Sequence, residues 1–226
     1  MAAHTTISKD AFDFLRQLEK NNNKEWFEAN KRIFKKHETA VKGFYEAVKD
    51  NLNHHDEIEK MKMFRIYRDV RFSKDKTPYK SHFAGSFSRL GSHLRGGYYL
   101  HLKPGGSFLA TGFWDPNKED LFRIRKELEM DASEFRKVIG QKSLKSIWGE
   151  LKGDAVKLMP KGFDKNHPDI DLIKFKQFIF TRNLTDEEVL SDSFLDEVDK
   201  SYRAIRPYFD LMSDILTTNL NGESIL

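Results

Sequence analysis

The 226-residue chain has no cysteine. That excludes disulfides, thiolate zinc sites, iron–sulfur clusters and a cysteine nucleophile, and it fits a reducing compartment. No apolar run approaches the length of a membrane span, and the N-terminal MAAHTTISKDAF lacks the apolar core of a signal peptide. The expectation is a cytoplasmic protein with no membrane partner. Metal-binding patterns are missing as well: there is no HExxH, no EF-hand loop and no His/Asp pair at tight ligand spacing. Gly105-Gly106 lacks the Lys-Ser/Thr that completes a phosphate loop, and Gly91 to Gly97 lacks Gly-x-Gly-x-x-Gly order. Gly85-Ser86 continues as Phe-Ser, which is not a nucleophile elbow. Neither a cofactor nor a metal is expected. Internal repeats, low-complexity tracts and linker-like segments are also lacking, so residues 1–226 read as a single α+β domain.

What the chain does have is aromatic mass and mixed charge. Nineteen Phe, seven Tyr and three Trp stand in a sequence that is 33% charged, which indicates a packed core under a polar surface. The net charge is +4, yet Lys62 to Lys80 alone carries seven basic residues against Asp69 and Asp75, or +5. The other 207 residues therefore sum to −1, and the basicity is local.

Periodicity places this segment between helices and a sheet. Ser8 caps a first helix with Phe12, Leu15 and Leu18 on one face. Asn22 and Glu25 have the spacing of a weak capping box ahead of a helix over roughly 23–52, with Gly43 as its weak point. From Phe64 the pattern alternates: Phe64, Ile66, Val70 and Phe72 share one parity, and Arg65, Tyr67, Asp69 and Arg71 the other. This predicts a strand near 64–72. Further strands are expected near 82–90, 97–103, 107–113 and 175–181, forming a central, mainly antiparallel sheet packed by N-terminal and C-terminal helices. A Gly105-Gly106 turn joins the clearest hairpin and leaves Tyr99, His101 and Lys103 on its less apolar face. Asp115-Pro116 reads as a helix start, Asp131 and Glu134 have capping-box spacing, and Thr185 and Glu188 form a true capping box. Pro207 should kink or divide the last helix.

On the expected strand, Arg68 shares parity with the apolar residues and needs an acidic partner such as Glu25, Glu28 or Asp120. Asp69 lies between Arg65 and Arg71 and can neutralise only one of them. The surplus charge, extended by Lys74, Lys76 and Lys80, is what a phosphate or carboxylate would meet. The candidate ligand-binding residues are thus Arg65, Arg71, Lys76 and Tyr79, with Arg68 and Asp69 as structural support.

The pattern Arg65-x-x-Arg68-Asp69-x-Arg71-Phe72-x-x-Asp75-Lys76-x-x-Tyr79 resembles the signature of a bacterial family, domain of unknown function 2461. Asn22 to Phe27 with Asn30, Gly112-x-Trp114-x-Pro116, Ile124-Arg125, and Pro160 to Phe163 with His167-Pro168 are also similar to that family. The resemblance implies one α+β domain of about this length and brings no assigned activity and no catalytic residue.

Three functions stay open. The first is an anion-binding protein whose ligand is an anionic small molecule. The second is an enzyme acting on a phosphorylated or carboxylated compound, with His82 or His101 as acid or base beside Asp69. If the strands are neighbours, Asp69, Tyr79, His82, Tyr99 and His101 line one pocket. The third is a non-catalytic nucleic-acid module using basic residues interleaved with Phe64, Tyr67, Phe72 and Tyr79.

Overall fold

Helix formation begins where the sequence supplies a cap. The Ser8 hydroxyl accepts from the Ala11 N–H at 3.2 Å and starts α1 (Lys9–Lys20), whose Phe12, Leu15 and Leu18 are buried. Asn23 then caps α2 (Lys24–Leu52), accepting from the Trp26 N–H at 2.9 Å. This helix runs unbroken through Gly43, because buried Val41, Phe44, Tyr45 and Val48 hold it on either side of the glycine. Four strands follow: β1 (Ile58–Met63), β2 (Phe83–Arg89), β3 (Gly97–Leu102) and β4 (Ser107–Phe113). After them come α3 (Lys118–Met130), α4 (Ser133–Ile139), α5 (Lys142–Trp148), α6 (Ile170–Ile173), β5 (Phe178–Leu184), α7 (Asp186–Val189), α8 (Phe194–Ala204) and α9 (Arg206–Thr217). The strands make one open antiparallel sheet in the order β1-β2-β3-β4-β5, flanked by helices, so the class is α+β as expected. This computed structural model describes residues 5–226.

The chain divides into two compact units, each assembled from separate stretches of sequence. Among the described residues the first comprises 5–87, 99–109 and 183–200. Its core sets Phe34 of α2 against Phe83, Tyr45 against Phe87, and Phe44 against Phe194, with ring centroids 5.3–6.1 Å apart. Burying one such ring is worth about 1.5–3 kcal/mol. The Tyr45 hydroxyl, itself buried, donates to the Leu100 carbonyl at 2.9 Å. The second unit comprises residues 88–98, 110–182 and 201–226. There Tyr98, Trp148, Phe178, Phe180, Tyr202 and Tyr208 are buried. Their polar atoms are satisfied internally: Trp148 Nε1 donates to the Ser201 carbonyl at 2.8 Å and Tyr208 Oη to the Phe178 carbonyl at 3.0 Å. A buried arginine also lies here. Arg89 donates to the Arg95 carbonyl and to Ser213 Oγ, with its guanidinium over Phe209.

Several boundaries differ from expectation. Residues 64–72 are not a regular strand; the edge strand β1 ends at Met63. The last strand starts at Phe178 rather than 175, because Phe175 bridges to Ala155 and its carbonyl is taken by Arg125. Asn117, not Asp115, caps α3, accepting from the Asp120 N–H at 2.8 Å. Asp131 accepts from the Ser133 N–H but does not cap α4, whose N-cap is Ala132. The β3–β4 turn is centred one residue earlier, on Pro104-Gly105: Gly106 N–H donates to the Lys103 carbonyl, and Gly105 has φ +70°, as a type II turn requires. The alternation of faces survives, since Tyr98, Leu100 and Leu102 are buried and Tyr99 and His101 are half-buried. Thr185 and Glu188 form the expected capping box, and α8 gives way to α9 at Ile205, just ahead of Pro207.

Candidate functional site

The basic segment is the far end of the β1–β2 hairpin. Past Met63 the chain keeps pairing with the residues that return to β2. Phe64 N–H donates to the Ala84 carbonyl, Lys80 N–H to Ile66, and Arg68 N–H to Pro78, at 2.8–2.9 Å, while Tyr67 and Tyr79 form an antiparallel bridge. From the Tyr67–Tyr79 bridge to the Phe64–Ala84 bond the returning side carries more residues than the outgoing one, so the pairing is bulged. Bulges re-aim side chains, and this one falls at Lys80, Ser81 and His82. A side chain from the α1–α2 junction fixes the hairpin from the side: Asn22 Nδ2 donates to the Tyr79 carbonyl at 2.9 Å, and its Oδ1 accepts from the Tyr79 N–H at 3.0 Å. Asn22 thus acts as a surrogate strand, not as a helix cap.

At the tip, charge is settled locally. Arg68 donates to Asp75 and to Thr77 Oγ1, so its partner comes from the turn and not from Glu25, Glu28 or Asp120. The Thr77 backbone N–H, with the Arg68 guanidinium and the Thr77 hydroxyl, holds the Asp75 carboxyl down at about 2. Arg71 grips Asp69 through both Nε (3.0 Å) and Nη2 (2.7 Å), which lowers the Asp69 pKa. Lys76 Nζ donates to the Val70 carbonyl at 2.9 Å. Tyr79 is buried, stacked on Phe27 with centroids 3.9 Å apart, and burial raises its phenol pKa. Phe72, assigned by parity to the apolar side, is 96% exposed beneath the Arg71 guanidinium. A fixed alternation holds only along a regular strand, and this segment is not one.

The denser constellation lies on the half-exposed face of the same unit. Tyr99 Oη and His101 Nδ1 are 3.0 Å apart, and the His101 ring lies 4.1 Å from that of His82 and 4.7 Å from that of Phe108, stacked on the latter. Tyr99 also touches Phe108 and Phe64. Lys62 and Lys80 place their ammonium groups 5.8 and 5.9 Å from the centre of the Phe64 ring. Burial lowers the pKa of Lys80, with Arg65 nearby adding to the effect. Burial is also the first cause that takes His82 down to about 3 and His101 to about 4. Repulsion follows, from His101, Lys80, Lys103 and Arg68 on His82 and from Lys103 on His101. Both rings are neutral at pH 7, in a positive field.

The expected pocket is therefore split. His82, Tyr99 and His101 come together, whereas Asp69 is at the hairpin tip and Tyr79 is in the core. Arg65 is exposed, and its carbonyl accepts from Lys80 Nζ at 3.0 Å. Phe64, Lys80 and Phe108 were not singled out from the sequence as members of this face. The signal for Phe108 is its parity: it is the first half-buried residue after Ser107 on a strand whose other face carries Leu109 and Thr111. Among the described residues no group of three or more His, Asp or Glu is placed to hold a metal ion, and no helix is long and apolar enough to cross a membrane.

Residues 10–211 match the family described as "Conserved hypothetical protein (DUF2461)". The chain belongs to this family. No curated protein and no solved structure is a match. Several residues by which the sequence resembles DUF2461 have structural work here. Asn22 clamps Tyr79. Gly112 has φ +114°, and a Cβ there would stand 2.3 Å from the Phe178 carbonyl oxygen. Arg125 holds the carbonyls of Ile173 and Phe175, and His167 bridges the Glu129 carbonyl and the Asp169 N–H. In this member of DUF2461 those residues maintain the backbone, which leaves the His82–His101 face as the better candidate for function.

Proposed function

We propose that the protein binds an anionic ligand bearing phosphate or carboxylate, and that the ligand sits at the His82–His101 face instead of the hairpin tip. One observation carries this reading. Among the described residues, Lys62, Arg65 and Lys80 have no carboxylate within ion-pair distance, whereas Arg68 and Arg71 each hold an aspartate. Lys103 is tied to Glu19 at 3.0 Å and acts through its field only. Lys62 and Arg65 are exposed, whereas Lys80 is half-buried, and a partly desolvated cation attracts an anion more strongly than a fully hydrated one. Of the residues first nominated, Arg65 stays in the proposed site. Arg71 is occupied by Asp69, and Tyr79 is buried against Phe27. Lys76, which like Lys80 donates to a backbone carbonyl, stands at the exposed hairpin tip away from the rings.

Acid–base catalysis by the two histidines fits less well. A general acid or base works best with a pKa near the operating pH, and these rings lie well below neutrality. An anion bound beside His82 would raise that ring's pKa, so for a ligand of constant charge binding should take up protons and strengthen as the pH falls. Titrating inorganic phosphate or pyrophosphate into the full chain, followed by amide and imidazole NMR, tests the proposal. Saturable shifts at Lys80, His82 and His101 are expected, lost in Lys80→Ala and retained in Arg71→Ala. Shifts confined to residues 69–77, or none at low salt, would refute it.

A further inference from the structure

We infer that the anion bound at this face is the backbone of single-stranded nucleic acid. The inference rests on the reading just given and deepens it by assigning the ligand's class. Its basis is the row of rings beside the cations. Phe64, Tyr99, Phe108, His101 and His82 form an unbroken chain of contacts, with successive centroids 6.3, 5.6, 4.7 and 4.1 Å apart. All five are neither buried nor fully exposed.

A phosphate or a small carboxylate has no use for such a row. One nucleobase covers one or two of these rings, so the row accommodates successive bases of a strand. Aromatic platforms beside a cationic groove bind single strands in this way, by stacking that tolerates any base and by neutralising the backbone. The cations border the row, since Lys80 reaches the Phe64 ring and also lies close enough to His82 to act on its charge. Lys62 and Lys80 flank Phe64, and Arg65 follows it in the chain. A strand laid along the row from Phe64 to His82 has cations beside its backbone and rings beneath its bases. The two neutral imidazoles serve as flat, uncharged rings. A duplex, whose bases are already stacked, cannot use this surface. Stacking accepts any base, so little sequence preference is expected.

The test is fluorescence anisotropy with a labelled ten-nucleotide oligothymidine and the full chain at low salt, against a duplex of the same length and against inorganic phosphate as competitor. The single strand should bind more tightly than the duplex. Tyr99→Leu and Phe108→Leu, which keep apolar bulk, should each weaken binding about tenfold, the order expected for one stacked base. Lys62→Ala and Lys80→Ala should each reduce the salt slope by about 0.7. Arg71→Ala should leave both unchanged. Photocrosslinking of a 4-thiouridine oligonucleotide to the unmodified protein gives a readout independent of variant folding, and adducts should map to Tyr99, Phe108 or His101. Crosslinks at the hairpin tip, equal affinity for duplex, or full binding by both leucine variants would overturn the inference. If phosphate binds at Lys80 and the oligonucleotide does not, this inference fails and the anion reading stands; if neither binds, both fail.

Discussion

Replacing Asn22 with alanine removes two hydrogen bonds at once, to the carbonyl and the N–H of a single residue, Tyr79. A main-chain group left unpaired away from water costs about 1–3 kcal/mol. The Tyr79 side chain is buried and the bonds are only partly so, which admits some solvent and places each loss near the low end. We expect a total of about 2–3 kcal/mol, and for a chain of this size a fall in thermal midpoint of about 4–12 °C. Asn22→Asp is the sharper variant. It keeps the acceptor for the Tyr79 N–H but turns a carboxylate oxygen towards the Tyr79 carbonyl, so it should cost at least as much as alanine despite being nearly isosteric. Thermal and urea unfolding of the three proteins provide the measurement, with the Tyr79 amide followed by hydrogen exchange. A midpoint for Asn22→Ala that differs from the parent by no more than an ordinary surface substitution, about 0.5 kcal/mol, would refute the surrogate-strand role.

Other perturbations reach other parts of the molecule. Gly112→Ala should cost roughly 3 kcal/mol or more, since it combines positive φ with a backbone clash against Phe178, and should show as loss of soluble protein or a steep drop in midpoint. Trp148→Phe strips the donor from the buried Ser201 carbonyl and should cost about 2 kcal/mol in urea unfolding. His82 and His101 are held neutral in the fold, with pKa values of about 3 and 4. Their contribution to stability is complete above the unfolded value near 6.5. It is lost as the pH falls from there towards 4, with a slope of up to about 1.4 kcal/mol per pH unit for each ring. Urea midpoints between pH 7 and 4.5 should decline accordingly, and the decline should shrink in the His82→Gln/His101→Gln double variant; an unchanged slope would contradict the burial of these rings.

Much of the architecture was legible because its signals are local. Ser8, the paired Thr185 and Glu188, and Pro207 act within one helical turn, and each worked where the sequence placed it. The strands β2, β3 and β4 follow from alternation backed by real burial of one face. The basic segment misled because alternation can arise without a sheet: Phe72 and Ile66 share a parity, yet one is exposed and the other buried. What governs that stretch is non-local, a contact from Asn22 across 57 residues and a bulge in the return path. Of the candidate site, the grouping of His82, Tyr99 and His101 could be read from strand adjacency. The part played by Phe64 and Lys80 could not, because it depends on the bulged pairing beyond Met63.

The clamp on Tyr79 also bears on how the hairpin finds its alignment during folding. Asn22 offers one acceptor and one donor to one residue. Were the returning segment to slide so that Pro78 took the place of Tyr79, the acceptor would face a residue with no N–H to give. That alignment leaves the amide half-used and a polar atom stranded. A single side chain between two helices therefore proofreads the hairpin against that slip and helps to fix where Lys80 and His82 emerge.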